Sequence, residues 1–338
     1  MMRNETAEKN YVYSGALAPI CESFIQEKRS IGYLYNSEAK RLSEFSRLTL
    51  NFDCPENMLT EEIVHAWISK RPTDSVRTYY SRFSLIVQFA KYMERMGYSA
   101  YIPMKDEVGK IHKNFVPYIF SHEQIHSFFD AADAMTYHKY SMAPRRHLIM
   151  PVLFRMLYCC GLRATEALKL KGEDVDLRRG ILTIRDSKNG KTRYVPMSDE
   201  LTAVCANYDK ARLIGPPGND WFFAAPDGGR YDIRAIYDTF RALLWEAGIS
   251  HGGRGKGPRL HDLRHTFCVH CLERWVKNGS DPTTLLPRLS TYLGHSGFSS
   301  TEKYLRMTAE VYPDISRLME ERYGYITPAL EEAQNENN

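Results

Sequence analysis

The stretch KDEVGKIHKNFVPY, at residues 105–118, constrains the fold most, because it divides a chain whose other long segments carry helical patterns. It combines charges, a glycine and a proline with no hydrophobic periodicity, which is typical of a linker. A length of 338 residues also suits about two domains. We therefore expect a helical domain at residues 10–104, a linker at 105–118, a second domain at 119–326 and an acidic tail at 327–338.

Three helices are expected before the linker. Residues 37–49 are amphipathic, and Thr60, followed by two glutamates, suits the start of a helix that stops before Pro72. A third helix carries apolar residues at alternating steps of four and three, which predicts one buried stripe. This stripe consists of Val76, Tyr80, Phe83, Val87 and Ala90.

The second domain is expected to be mainly helical with one small β element. Ser121 and Gln124 form a capping-box pattern at the start of SHEQIHSFFDAAD. Residues 181–197, ILTIRDSKNGKTRYVPM, are two β-like runs around Asn-Gly, a pair that suits the positive φ angles of a hairpin turn. The predicted fold class is mainly α with a small β-hairpin or sheet: an N-terminal helical bundle followed by an α+β domain.

The cysteines and apolar runs argue against a secreted or membrane protein. Seven cysteines, an odd number with two adjacent at 159 and 160, do not suit a disulfide framework, so a reducing cytoplasm is expected. The most apolar run, residues 148–162, is too short to span a bilayer and contains Arg155. The first residues lack the apolar core of a signal peptide. No membrane partner is therefore expected.

Charge is distributed unevenly along the chain. The formal net charge is only +4, but residues 251–274 hold five Lys or Arg against two acids. From residue 305 onward, three Arg stand against seven acids. A basic segment of this kind suits nucleic acid, whereas the acidic end suits solvent or a protein partner.

Several familiar catalytic patterns are missing or incomplete. NGKT at 189–192 lacks the glycine that a phosphate-binding loop needs five residues before Gly190. Cys268 and Cys271 form a CxxC pattern near histidines, but no second ligand pair at zinc spacing accompanies them, so core cysteines are the preferred interpretation. A G-x-S-x-G nucleophile elbow is absent as well. We expect no bound metal and no cofactor.

What remains is a set of basic residues and one tyrosine. Arg163 lies two residues after Gly161 and precedes Glu166 by three residues, and His261 and Arg264 are three apart on one helix face. Arginine forks can bind both non-bridging oxygens of a phosphodiester, and tyrosine can store a phosphoryl group as an ester. The other members of the set are Lys188 at the hairpin tip, His295 and Tyr304.

The order of these residues resembles that of the tyrosine recombinases, the phage-integrase family. The resemblance covers residues 115–325 as a catalytic domain, and the N-terminal part is similar to that family's core-binding domain by position and pattern. The family order is arginine, hairpin lysine, His-x-x-Arg, His or Trp, then tyrosine. It falls here on Arg163, Lys188, His261, Arg264, His295 and Tyr304. Glu166 matches the acidic position that supports the active site.

The resemblance implies a two-domain clamp on DNA that recombines specific sites without metal, ATP or another cofactor. Tyr304 would attack the scissile phosphate, giving a 3′-phosphotyrosyl link and a 5′-hydroxyl. Lys188 would protonate the leaving oxygen, and His261 would accept the proton of Tyr304. The groups expected to bind the phosphate oxygens are Arg163, Arg264 and His295.

The implied partners are double-stranded DNA recombination sites, other copies of the chain, and accessory or directionality factors. Enzymes of the family work as tetramers on DNA, here through the helical pattern after Tyr304. Basic side chains are expected at the DNA on the outer face of the third helix, in the linker and in the basic segment. They are Arg77, Arg82, Lys91, Lys105, Lys110, Lys113, Arg254, Lys256 and Arg259.

Three other functions stay open at this point. A type IB topoisomerase uses similar chemistry on one duplex, although a separate N-terminal domain favours a recombinase. A non-catalytic DNA-binding accessory protein is disfavoured, because every catalytic position is filled. An RNA-directed phosphotransferase fits the spacing but not the resemblance. The sequence leaves the DNA site open, and with it the choice among integration, transposition, cassette exchange and dimer resolution.

Overall fold

A computed structural model of the chain describes residues 8–72, 74–104, 116–137, 145–185, 192–212, 220–253 and 257–295, together with Tyr304. The chain divides into two compact units, Met1–Asn114 and Phe115–Asn338. Their boundary lies inside the stretch 105–118, where the sequence predicts a linker.

The first unit consists of helices and one short pair of strands. Its described elements are α1 (Ala18–Ser30), α2 (Asn36–Thr49), β1 (Met58–Leu59), α3 (Glu61–Ile68), α4 (Val76–Arg95) and β2 (Ser99–Ala100). β1 pairs in parallel with β2. The three helices predicted from the sequence are therefore present as α2, α3 and α4.

Capping side chains explain where α3 and α4 begin. The side chains of Thr60 and Ser75 each accept a hydrogen bond from the backbone amide three residues on, which satisfies one donor of the first helical turn. Between the helices, the Phe45 ring meets Trp67 and Phe89 edge-on, with centroids 5.4 Å and 6.0 Å away. These aromatic contacts hold α2, α3 and α4 around one apolar core.

The predicted buried stripe of α4 is confirmed at Phe83 and Ala90, which are buried, but not at Val76, which is 54 % exposed. A second stripe is buried as well and runs through Arg82, Ile86, Phe89 and Met93, at steps of four and three. The buried face of α4 is therefore wider than the single stripe that periodicity predicts.

Arg82 belongs to this second stripe and is buried, so the prediction that it lies on the outer face of the helix is wrong. Its side chain is 3 % exposed. Nη2 donates to Asp74 Oδ2 (2.6 Å) and to the Ser69 carbonyl oxygen (2.8 Å). The guanidinium also lies over the Trp67 ring, 5.5 Å from its centroid. An arginine enclosed in this way connects α3 to α4 and is not available to a DNA phosphate.

The second unit is mainly helical around a small antiparallel sheet. Its described elements are α5 (His122–Asp133), α6 (Arg146–Cys159), α7 (Ala164–Ala167), β3 (Val175–Asp176), β4 (Ile181–Ile184), β5 (Arg193–Pro196), α8 (Asp199–Arg212), α9 (Ile233–Glu246), α10 (Asp262–Lys277) and α11 (Pro282–Leu293). The strand order is β3-β4-β5. Ile181 lies opposite Pro196, and Ile184 opposite Arg193. The strands of the predicted hairpin and the predicted fold class are confirmed, while the turn at 188–191 lies outside the described residues.

Helix α6 is the centre of the second unit. It is buried on nearly all sides, and it comes from the most apolar run of the sequence, which forms a core helix. The rings of Phe128, Phe154 and Phe240, from α5, α6 and α9, lie 5.4–6.0 Å apart by centroid. The predicted capping box of Ser121 and Gln124 opens α5. Among the described residues, no helix has both the length and the apolar character needed to cross a membrane.

A polar group beside α10 is the one set of described residues with possible metal-ligand spacing. Its atoms belong to His122, His270 and Glu273 and lie within 4.8 Å of one another. The Phe120 carbonyl oxygen can only accept, so His270 Nε2 donates to it (3.1 Å), and Nδ1 accepts from the Tyr158 hydroxyl (2.8 Å). Both ring nitrogens of His270 are thus engaged within the protein. This geometry favours a structural connection between α5, α6 and α10 over a metal site, in line with the interpretation of Cys268 as a core cysteine.

Candidate active site

The chain turns between α6 and α7, and this turn places Arg163. Gly161 has a φ of +56°, the left-handed region that favours glycine. Arg163 follows in an extended conformation directly before α7. Its backbone amide donates to Glu166 Oε2 (2.9 Å), and its Nη1 donates to Glu166 Oε1 (2.6 Å). An acid three residues on therefore fixes both the backbone and the side chain of Arg163.

Glu166 is a buried carboxylate that faces three arginines. Its side chain is 6 % exposed. Arg193 donates to both carboxylate oxygens, from Nη1 (3.0 Å) and from Nη2 (2.8 Å), and Arg264 Nη1 lies 3.9 Å from Oε2. Burial alone would raise the pKa of Glu166, but hydrogen bonds and charge from Arg193 and Arg163 outweigh it and lower the pKa to about 2. The cluster keeps an excess of positive charge, which attracts an anion.

Arg264 connects α10 and α11 to the turn after α6. Its Nη1 donates to the Gly161 carbonyl oxygen (2.5 Å), and its Nη2 donates to the Leu293 carbonyl oxygen (2.8 Å). The residue is 1 % exposed. Burial, with the nearby charge of Arg163, lowers the pKa of Arg264 to about 10, so the guanidinium stays charged at neutral pH.

Arg193 belongs to this cluster, although it is not among the site residues predicted from the sequence. Besides its bonds to Glu166, its Nε donates to the Tyr292 carbonyl oxygen (3.0 Å). The Tyr292 hydroxyl in turn donates to the Pro196 carbonyl oxygen (3.0 Å). These bonds tie β5 to the end of α11. A sequence signal was present, because alternation along the strand RYVP puts Arg193 on the same face as the buried Val195.

Tyr304 lies in a small apolar cluster with residues of α10 and α11, among them Cys268 and Leu293. It has helical backbone and is 1 % exposed. Its hydroxyl oxygen is 2.8 Å from His265 Nδ1, and the His295 ring lies nearly parallel to the tyrosine ring at a centroid distance of 6.3 Å. Burial raises the pKa of Tyr304 above its ordinary value, so the hydroxyl keeps its proton at neutral pH.

The structure connects five of the predicted site residues through direct contacts or short links. They are Arg163, Glu166, Arg264, His295 and Tyr304. His261 lies exposed immediately before α10, with its ring 4.8 Å from that of His265. Lys188 lies outside the described residues. His265 was not singled out from the sequence, although it directly follows Arg264 in RLHDLRHTF.

The basic residues predicted at the DNA separate into three groups. Arg77, Lys91 and Arg259 are exposed, which suits contacts with the outer DNA backbone, and Arg82 is buried. The others lie outside the described residues: Lys105, Lys110, Lys113, Arg254 and Lys256.

Gly161→Ala is expected to lower the free energy of unfolding by about 2 kcal/mol, because alanine disfavours a left-handed backbone and adds a methyl group to a filled site. A Cβ there would lie 2.6 Å from Phe267 Cδ1 and 2.9 Å from Leu293 Cδ2. Urea unfolding of the full chain measures the loss. The matched control is Gly228→Ala, which also has positive φ but whose Cβ would meet nothing within 4 Å. Equal losses in both variants would contradict the packing part of this prediction.

The chain belongs to one class of protein, the tyrosine-type site-specific recombinases. The chain belongs to the phage integrase family, whose model matches residues 119–310. A protein of Sinorhizobium fredii named as an integrase/recombinase, y4rB, is 33 % identical over 306 residues, which cover 89 % of this chain and 96 % of that protein. The tyrosine recombinase XerD of Pseudomonas putida is 31 % identical over 155 residues, covering 45 % of this chain and 47 % of XerD.

Two solved structures share the fold. XerH site-specific recombinase bound to its palindromic difH substrate has a TM-score of 0.62 at 20 % identity, covering 91 % of this chain and 84 % of that one. The Tn1549 transposon integrase in complex with transposon right-end DNA has a TM-score of 0.60 at 17 % identity, covering 90 % and 99 %. At these identities the similarity establishes the fold.

Proposed function

We propose that Tyr304 cuts DNA strands at a recombination site and stays joined to the cut end until the strands are rejoined. The observation that carries the proposal is the arginine cluster: Arg163, Arg193 and Arg264 face the single carboxylate of Glu166, whose pKa is about 2. Guanidinium forks match the non-bridging oxygens of a phosphodiester, so a DNA phosphate is the anion that such a cluster suits best.

The strand cut is a transfer of a phosphoryl group to tyrosine. The Tyr304 hydroxyl gives its proton to an imidazole of the site while its oxygen bonds to phosphorus. The bond from phosphorus to the 5′-oxygen breaks, and Lys188 protonates that oxygen. A 5′-hydroxyl from a second strand then attacks the phosphotyrosyl ester and releases Tyr304. Because the phosphotyrosyl ester conserves the energy of the broken phosphodiester bond, the exchange needs no ATP.

The phosphate is held while negative charge grows on its non-bridging oxygens. Arg163 and Arg264 take this role, and both are fixed in advance by hydrogen bonds, Arg163 to Glu166 and Arg264 to two carbonyl oxygens. Preorganised donors of this kind stabilise a transition state without further rearrangement. His295, close to the Tyr304 ring, adds a hydrogen bond to the same phosphate.

The partner is a double-stranded DNA recombination site. DNA of this kind is bound by XerH, with difH, and by the Tn1549 integrase, with a transposon end. The exposed Arg77, Lys91 and Arg259 contact the DNA backbone in this proposal, giving salt-dependent affinity. The working form is a tetramer assembled on DNA through the segment after Tyr304, in the cytoplasm with the nucleoid, and accessory or directionality factors regulate it.

The test is whether DNA becomes covalently attached to the protein. Cells that express the chain are denatured rapidly, and the DNA that stays joined to the protein is sequenced. We expect an adduct whose junctions share one sequence, and a loss of more than about 1000-fold in Tyr304→Phe, which removes only the attacking oxygen. Tyr194→Phe, at a tyrosine that is 71 % exposed, is the matched control and should leave the adduct unchanged.

Three other outcomes of this experiment would each change the proposed nucleophile or activity. An adduct that survives in Tyr304→Phe would show that another residue is the nucleophile. An adduct whose purified enzyme relaxes supercoiled DNA as a monomer would reassign the chain as a type IB topoisomerase. Salt-sensitive DNA binding with no adduct at all would leave a binding protein and refute the proposed activity.

A further inference from the structure

His265 is an imidazole in direct contact with the Tyr304 hydroxyl. The distance from its Nδ1 to the hydroxyl oxygen is 2.8 Å, and the two ring centroids lie 5.6 Å apart. Both groups are buried, His265 at 5 % exposure and Tyr304 at 1 %. His261, to which the resemblance assigns the proton of Tyr304, is exposed and lies one helical turn before His265.

The geometry of helix α10 explains why Arg264 and His265, although adjacent in sequence, contact different groups. Arg264 and His265 are consecutive, so their side chains point in directions about 100° apart around the helix axis. Arg264 reaches the carbonyl oxygens of Gly161 and Leu293, whereas His265 reaches the tyrosine hydroxyl. One turn of helix therefore serves both the phosphate site and the nucleophile.

The contact has the geometry that proton transfer needs. A general base must lie within hydrogen-bond reach of the proton it accepts, and Nδ1 of His265 meets that condition. With its own proton on Nε2, the imidazole accepts a hydrogen bond from the hydroxyl at Nδ1. Burial raises the pKa of Tyr304, so the phenol needs a neighbouring base as its oxygen bonds to phosphorus.

We propose that His265, rather than His261, is the general base that takes the proton of Tyr304 during strand cleavage and returns it during rejoining. The inference rests on the proposed phosphotyrosyl chemistry. In cleavage the O–H bond of Tyr304 breaks, the proton moves to Nδ1, the oxygen bonds to phosphorus, and the bond to the 5′-oxygen breaks. In rejoining the 5′-hydroxyl attacks phosphorus, and the departing tyrosine oxygen recovers the proton from His265. The exposed His261 is then assigned to the DNA phosphate.

The experiment compares His265→Asn with His261→Asn. Asparagine keeps a hydrogen-bond acceptor but cannot take the proton, so it separates proton transfer from simple positioning. The probe is a duplex carrying the sequence recovered with the wild-type protein, nicked so that a short fragment leaves after cleavage and prevents rejoining. We expect His265→Asn to slow single-turnover adduct formation about 100-fold without changing DNA affinity.

Fluorination of Tyr304 identifies which histidine acts as the base. 3,5-Difluorotyrosine has a more acidic phenol, so its attack depends less on a base. With this residue at position 304, we expect the His265→Asn defect to shrink to less than about 10-fold, and the His261→Asn defect to stay as it was. A purely structural role of His265 would give no such rescue.

Two outcomes would overturn the proposal: cleavage at the wild-type rate by His265→Asn, or rescue by fluorination of His261→Asn alone. Thermal unfolding and DNA affinity of each variant show that a slow rate does not reflect misfolding, and His265→Gln replaces His265→Asn if the latter does not fold. A wild-type protein that makes no adduct with any DNA would instead refute the proposed function, so the two failures are distinguishable.

Discussion

Glu166→Ala is expected to lower the free energy of unfolding by about 4 kcal/mol at neutral pH, and to abolish DNA cleavage in the molecules that still fold. The carboxylate is buried and receives hydrogen bonds from Arg163 and Arg193. Removing it leaves three guanidinium groups close together, with no carboxylate of the described residues between them, and each loses part of the contact that fixes its position. Urea unfolding of the full chain measures the stability, and the trapped adduct measures cleavage.

A matched control tests whether the burial of Glu166 is the cause. Glu173→Ala removes a carboxylate that is 68 % exposed and lies 3.9 Å from Arg185, so we expect a change below about 0.5 kcal/mol. Similar losses from Glu166→Ala and Glu173→Ala would contradict the assignment of Glu166 as the charge that organises the site.

Because the pKa of Glu166 is low, the stability that its carboxylate contributes depends on pH in a predictable direction. The pKa falls from an ordinary value of 4.5 to about 2 in the folded chain, so the unfolded chain binds the proton more readily. The stabilisation is therefore complete above the unfolded value and is lost as pH falls toward the folded one. Between about pH 5 and pH 3 the advantage of wild type over Glu166→Gln should shrink by about 2 kcal/mol. An advantage that does not change with pH would show that Glu166 titrates normally.

Features of this protein that depend on neighbours in sequence can be predicted from the sequence. The capping box of Ser121 and Gln124, the cap at Thr60 and the hairpin strands all appear where their local patterns place them. Each rests on a bond or a turn that spans a few residues, so the pattern contains nearly all of the determinants. The candidate catalytic residues are similar, because each lies in a short sequence motif and these motifs follow one another along the chain.

Contacts between distant segments could not be predicted in the same way. Arg193 and Glu166 are 27 residues apart, and His265 and Tyr304 are 39 apart. Nothing in either local sequence specifies the other partner, because the packing of α7 against β5, and of α10 against Tyr304, brings them together. The HxxR pattern indicates its own histidine, which is exposed, whereas the buried histidine one turn later makes the contact with Tyr304.

The register of α4 shows a related limit. Steps of four and three fit two stripes on this helix, and one of them begins with a charged residue, Arg82. A charged residue at the start of a stripe normally indicates that this part of the helix faces solvent, since burying an unpaired charge is costly. Here Asp74, in the preceding loop, is its buried partner at 2.6 Å, with 9 % of its side chain exposed. This ion pair allows Arg82 to be buried, against the usual preference of a charged side chain for solvent.

Asp74→Ala is expected to lower the free energy of unfolding by about 3 kcal/mol, because it leaves the Arg82 guanidinium buried without its counter-charge. Arg82→Met should cost less than about 1.5 kcal/mol, since an unbranched apolar side chain fits between α3 and α4. The double variant should resemble Arg82→Met, which gives a coupling energy of about 3 kcal/mol in a double-mutant cycle by urea unfolding. Strictly additive losses would show that the two side chains do not stabilise each other.

DNA binding distinguishes this structural role from the phosphate contact that the sequence first suggests. The logarithm of the DNA affinity falls linearly with the logarithm of salt concentration, and each phosphate contact contributes about 0.9 to the slope. Arg77→Met, at an exposed position five residues earlier on α4, should lower the slope by about 1, whereas Arg82→Met should leave it unchanged. Equal decreases in the two variants would place Arg82 at the DNA backbone, and the ion pair with Asp74 would then have to open when DNA binds.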